Sequence, residues 1–221
     1  MTMLSPSQFA TANSVLAALT CGGALCIVSS QPGFGLTTCM ESIRSRLSNP
    51  ICTIADHPEL AGLDLLGQFY NHLNIDVEFQ VKSELPGFVI EIVTLRGIST
   101  IFVDDIDMFL CGERARRHTV RQLKLILTAL PSVNFVISGH AETTNMLDLR
   151  MGSPHSAEAF RLGGFQCINE YKVFFKSILA ENSKSEFANM SLEELYLNTK
   201  GNLGDTFLRL FHPAYLYNGH K

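Results

Sequence analysis

The chemistry-bearing residues of this chain fall into a few short stretches. The first is Ser30-Gln-Pro-Gly-Phe-Gly-Leu-Thr37, which follows the apolar run Ala24-Leu-Cys-Ile-Val-Ser29. Glycines between a strand and a helix let backbone N–H groups turn toward phosphate oxygens, and the helix N-terminus adds a favourable dipole. The pattern Gly-x-x-x-x-Gly-Lys-Ser/Thr uses this geometry in phosphate-binding loops. Here Gly35 and Thr37 stand in register, while Ser30 takes the place of the first glycine and Leu36 that of the lysine. Gly33, Phe34, Gly35, Leu36, Thr37 and Thr38 are the candidate nucleotide contacts, and the Thr37 hydroxyl is a candidate magnesium ligand. Without the lysine, the β- and γ-phosphates lose a point charge, at a cost of ~1.5–3 kcal/mol for one charge-assisted contact. The same residues also suit an ordinary glycine-rich turn.

The second stretch is Ile101-Phe-Val-Asp-Asp-Ile-Asp107. A hydrophobic strand that ends in Asp-Glu orients magnesium with its first acid and polarises the attacking water with its second. Asp104 fits the first role. Asp105, the candidate catalytic acid, is one methylene shorter than glutamate, and misplacement by about 1 Å costs ~100-fold in rate. Acids at this point also suit the cap of a following helix. In the third stretch, Phe135-Val-Ile-Ser-Gly-His140, Ser138 and His140 lie at a strand end that belongs beside the loop. A polar side chain there contacts the terminal phosphate, although a plain strand exit has the same signature.

A basic stripe completes the set. Arg114, Arg117, Arg121 and Lys124 are three, four and three residues apart and so share one helix face, away from Leu123, Ile126 and Leu127. Such a stripe serves as a solvated face, as a set of phosphate-backbone contacts to double-stranded DNA, or as a subunit interface. Arg161, in Ala159-Phe-Arg-Leu162, is a candidate to act in trans on a neighbouring subunit's nucleotide. The histidines show no metal-ligand spacing, and no Ser-His-Asp or Cys-His arrangement stands out.

The elements that position these residues follow from hydrophobic periodicity. Ser5-Pro6 opens a helix with Phe9, Val15, Leu16 and Leu19 on its apolar face. Strands are expected at 24–29, 51–55, 99–103 and 133–138, with a fifth at 165–168. Helices are expected at 38–47, 58–73, 86–96, 113–130 and 142–149, then at 170–181, 192–199 and 204–211. Strands alternating with helices form a parallel sheet covered on both faces, a three-layer α/β arrangement. Residues 1–168 read as the α/β core and 169–221 as a small helical lid. Gly152-Ser-Pro-His-Ser156 reads as a mobile loop.

Composition sets bounds on function. Hydrophobic residues make up 46%, enough for a sizeable core, and charged residues only 17%, which leaves a neutral surface suited to protein contacts. The net charge of −4 provides no global field toward nucleic acid, so any such contact is local. None of the six cysteines forms a Cys-x-x-Cys pair, which implies a reduced, cytoplasmic chain without zinc. Residues 14–28 are almost uncharged, but no Lys or Arg precedes Arg44 and Gly22-Gly23 splits the run, so neither a signal peptide nor a membrane span is expected.

Taken in order, the loop at 30–37, Leu95 to Asp107, Phe135 to Glu142 and Thr199-Lys-Gly-Asn-Leu-Gly-Asp-Thr-Phe-Leu-Arg-Leu210 resemble the AAA+ ATPases that regulate DNA transposition, of the TniB and TnsC type. The resemblance spans most of the chain. It implies a P-loop NTPase (AAA+-like) fold with a C-terminal lid, an ATP and magnesium site, self-association, and partners among transposition proteins. On that reading Gly33, Gly35 and Thr37 line the nucleotide, Asp104 the magnesium and His140 the sensor position. Leu36, Asp105 and Gly204 depart from the family's lysine, glutamate and lid arginine. Together they imply a degenerate member that binds rather than hydrolyses. An active ATPase with an unorthodox loop, using Arg44, Arg46 or a neighbour's Arg161 as the missing cation, and a protein-binding scaffold unrelated to DNA, are the alternatives.

Overall fold

The computed structural model describes residues 3–54, 64–75, 84–144, 147, 154–181 and 191–211. The chain enters through α1 (Pro6–Ala18), whose start is set by a capping box. The Ser5 side chain accepts the Gln8 N–H, and the Gln8 side chain accepts the Ser5 N–H. Gly22 and Gly23, both with positive φ, turn the chain into β1 (Ala24–Ser30). There follow α2 (Leu36–Ser45), β2 (Ile51–Ile54), α3 (Leu65–His72), α4 (Gly87–Leu95), β3 (Thr100–Val103) and a short 3-10 turn at Ile106–Leu110. After it come α5 (Glu113–Ala129), β4 (Asn134–His140), α6 (Ala141–Thr144) and β5 (Ser156–Leu162). The described chain closes with α7 (Ile168–Glu181), α8 (Leu192–Thr199) and α9 (Leu203–Phe211).

The five strands form one parallel sheet in the order β2-β3-β4-β1-β5. Successive strand residues point to opposite faces, and both faces are filled. Leu25, Ile27, Ile101, Val103, Phe135 and Ile137 face a core completed by α3, α4 and α5. Cys26, Val28, Phe102 and Val136 face α1 and α2. A third cluster of Tyr171, Phe174, Phe175, Ile178, Leu195 and Leu210 holds α7, α8 and α9 together. Because β1 lies between β4 and β5, their C-terminal ends meet, with Ser30 in register with His140 and with Leu162. Ligands of open α/β sheets bind at the carboxyl ends of their strands.

Several boundaries differ from the sequence reading. The strand expected at 165–168 is not there, and β5 lies earlier, over Ser156–Leu162. Phe165 instead packs on Tyr171, Phe174 and Phe175, with ring centroids 5.2–6.0 Å apart. The β5 segment was hard to read because it is an edge strand with mostly half-exposed or exposed positions, so it lacks the apolar run of a central parallel strand. Part of the loop expected at 152–156 lies outside the described residues, but His155 is buried against Val133 and Phe135, and Ser156 opens β5. Of the helix expected at 142–149, α6 covers only Ala141–Thr144 and Leu147 is not helical, while 145–146 and 148–150 lie outside the described residues. α2 starts two residues earlier than expected, at Leu36. The helix expected at 58–73 is α3, which starts only at Leu65: Asp64 is extended and caps it by accepting the Gly67 N–H, and 55–63 lie outside the described residues.

Candidate functional site

The loop between β1 and α2 has a defined shape with identifiable causes. Gly33 and Gly35 have φ of +80° and +75°, the left-handed region that glycine enters without a steric penalty. A side chain at Gly33 would meet the Asn202 amide, and one at Gly35 the Gln8 amide. Three contacts hold the loop's carbonyls. Gln8 Nε2 donates to the Gly35 carbonyl (2.9 Å), the Gly204 N–H to the Gly33 carbonyl (2.8 Å) and Asn202 Nδ2 to the Pro32 carbonyl (2.9 Å). α2 then begins with no side-chain cap, and its first bond back to the loop runs from Cys39 N–H to the Gly35 carbonyl. The first-turn N–H groups of Leu36, Thr37 and Thr38 have no partner within the helix.

These elements enclose one cavity of about 430 Å³, within the range of small-molecule sites. Gly33, Gly35, Leu36, Thr37 and Thr38 line it, together with Asp104, Asp105 and Asp107 at the end of β3, Gly139 and His140 at the end of β4, and Leu203, Gly204 and Phe207 from α9. The structure thus brings the loop, both expected acids and His140 onto one pocket, while Phe34 packs instead on the α1/α2 core. A second cavity of about 600 Å³ adjoins it at the ends of β1, β4 and β5, and Arg161 lines that one.

Asp104 is the most constrained acid. Its Oδ1 accepts the Ser138 hydroxyl at 2.6 Å, and its Oδ2 pairs with Arg44 Nη1 at 3.1 Å. Ser138 is fully buried and also accepts the Asp105 N–H at 3.2 Å. It therefore positions the acids rather than facing the cavity. Asp105 lies in the left-handed region (φ 51°), a conformation that costs a non-glycine residue about 1–3 kcal/mol. Its side chain makes no capping bond to the 3-10 turn that follows. Partial burial, then the neighbouring Asp107 carboxylate, push the Asp105 carboxyl above the usual carboxylate range. Asp107 accepts the His140 N–H on Oδ2 at 2.7 Å, and its buried Oδ1 has no hydrogen-bond partner.

The pocket suits a nucleotide better than it suits magnesium. Glycine geometry, free first-turn amides and cavity size fit a phosphate chain. The Asp104 oxygens, in contrast, already hold a guanidinium and a hydroxyl.

Sequence reading missed Gln8, Asn202 and Asp107. Ser5-x-x-Gln8 was legible as a capping box, but the Gln8 amide's reach to a loop 27 residues away was not. Asn202 caps α9 by accepting the Asp205 N–H and is set by a buried network of Tyr171, Thr199 and Thr206 hydroxyls. The basic stripe lies on the exposed face of α5, where Glu113 pairs with Arg116 and Arg117.

No protein-family model matches this chain, nor does any curated protein. Solved structures do. A Walker-type ATPase of Pyrococcus abyssi aligns over 96% of this chain and 67% of its own, at 14% identity and a TM-score of 0.55. The Orc1 protein of Aeropyrum pernix, solved in complex with DNA, aligns over 94% of this chain and 59% of its own, at 14% identity and a TM-score of 0.62. Domain III of the Thermotoga maritima replication initiation protein DnaA aligns over 97% of this chain and 90% of its own, at 14% identity and a TM-score of 0.54. The chain spans less than two thirds of the Orc1 chain's length. At these identities the likeness is one of fold, and that fold is the P-loop NTPase of the AAA+ class, with a helical C-terminal region.

Proposed function

We propose that this chain is a degenerate AAA+ protein that binds a nucleoside triphosphate, ATP in the first instance, hydrolyses it weakly or not at all, and acts as a DNA-associated adaptor or regulator in transposition. One observation carries the reading. The loop cradle, with its left-handed glycines and uncapped helix start, opens onto Asp104 and His140, yet Leu36 stands at its cation position. The shape of a triphosphate site is present and its electrophilic side is weak. Asp105, short and held in a strained backbone, is poorly placed to activate water.

The DNA part of the reading draws support from the exposed stripe of Arg114, Arg117, Arg121 and Lys124 on α5. The comparison with an Orc1 protein bound to DNA and with a replication initiation protein favours the same setting. The transposition setting rests on the sequence resemblance, as does self-association with Arg161 reaching a neighbour.

The test is direct. Purified protein binds ATP in calorimetry and shows no turnover above the uncatalysed background, and it retards duplex DNA in a salt-sensitive manner. Replacing Arg114, Arg117 and Arg121 together by Ala lowers the slope of log affinity against log salt by about 2–3, at ~0.9 for each phosphate that is no longer neutralised. Robust turnover would establish the active-ATPase alternative, and an unchanged salt slope would remove α5 from the DNA interface.

A further inference from the structure

The charge balance of the loop pocket is unusual. Three carboxylates, Asp104, Asp105 and Asp107, line it, and among the described residues no lysine or arginine side chain does. A triphosphate entering such a wall needs compensating positive charge, which P-loop sites draw from a lysine and a magnesium ion. Leu36 removes the first. The second meets an occupied ligand, since both oxygens of Asp104 are engaged.

Arg44 is the cation on that ligand, and it is held there. It lies on α2 seven residues after Thr37, two turns along the same helix face. Its guanidinium sits 5.9 Å from the centroid of the Phe102 ring and 3.1 Å from Asp104 Oδ2, and its side chain is only 21% exposed. Guanidinium is weakly hydrated and always charged, which suits it to a half-buried pair. A divalent ion on Asp104 would have to displace a cation that the ring and the carboxylate both hold.

We propose that Arg44 takes the place of magnesium at Asp104, so that the pocket accepts a nucleoside triphosphate without a divalent cation. The proposal rests on the nucleotide-binding reading above. Arg44 acts through Asp104, cancelling its charge, and is a positioning residue rather than a phosphate ligand.

Calorimetric titration of the full chain with ATP, once in excess EDTA and once in excess magnesium, tests it. The wild-type affinity is expected to agree within about twofold between the two conditions. Arg44→Ala is expected to weaken binding in EDTA by about tenfold or more, with magnesium restoring it as the uncovered Asp104 takes the metal. Arg44→Lys should retain most of the EDTA affinity, which a merely structural role for the side chain would not produce. Should Arg44→Ala fail to fold, Asp104→Asn is the second variant. It is expected to tighten ATP binding in EDTA, because a carboxylate leaves the wall and the guanidinium is released. Wild-type binding that needs magnesium, or Arg44→Ala binding in EDTA as well as wild type, overturns this proposal and leaves the nucleotide reading standing. A tenfold loss on Asp104→Asn in magnesium does the same. No binding of ATP in either condition overturns both.

Discussion

Leu36 sits at the first position of α2, half-buried on the rim of the pocket and packed against the α1/α2 core. A lysine there can keep its methylene stem on the same apolar surface and extend its ammonium to the phosphates. Leu36→Lys is therefore expected to strengthen ATP binding by about 10-fold or more, the equivalent of one charge-assisted contact at ~1.5–3 kcal/mol. Isothermal titration against the parent chain checks this, and an unchanged affinity would mean that phosphates do not approach α2. Gly204 shows the opposite constraint. A Cβ at 204 would lie 3.1 Å from the Gly33 Cα, so a side chain there requires the loop or α9 to give by a few tenths of an ångström.

At the scale of elements, the loop is held from two directions by parts of the chain remote in sequence. α1 supplies Gln8, which is buried, caps its own helix through Ser5 and holds the Gly35 carbonyl. α9 supplies the Gly204 N–H, and the Asn202 amide just before it holds Pro32. Gln8→Ala removes one half of a capping box and leaves the Gly35 carbonyl without its donor. The expected cost is ~1–3 kcal/mol of folding stability, read as a shift of the urea midpoint with unchanged slope. A smaller companion effect on ATP affinity is expected, because the loop loses preorganisation. Gln8→Glu, which keeps the length but cannot donate when ionised, should reproduce the loop defect and retain the acceptor half of the cap. If both variants melt like the parent, α1 is not a strut of the loop.

For the molecule as a whole, the arrangement of the six cysteines offers a simple check on the packing. All are free; Cys26, Cys39 and Cys52 are buried in the two sheet faces, and Cys21, Cys111 and Cys167 are exposed. Burial pushes the thiols of Cys26 and Cys52 up to about 12 and that of Cys39 to about 11. Only the thiolate is nucleophilic. A thiol reagent at mildly alkaline pH is thus expected to label three groups rapidly in the native protein and all six in denaturant. A fourth fast thiol would mean that one of the cores beside the sheet opens more readily than the burial of Cys26, Cys39 and Cys52 implies. Among the described residues no helix is long and apolar enough to cross a membrane, so the uncharged run at 14–28 is spent on α1 and β1, as the split at Gly22-Gly23 indicated.

Residue pattern alone determined the alternation of strands and helices, the first four strands, the glycine loop that leads into α2 with Leu36 at its start and the acids that close β3. It could do so because central parallel strands are buried on both faces and read as continuous apolar runs, and because glycine, proline and capping residues mark local backbone needs. It misplaced β5, whose edge position leaves it without that apolar signal. Only the tertiary structure decided what the site's charges do. Arg44 and Asp104 lie 60 residues apart in sequence, and Gln8 and Asn202 reach the loop from opposite ends of the chain. Such pairings depend on the order in which strands lie side by side and on which helix packs over which face, and no local periodicity encodes either.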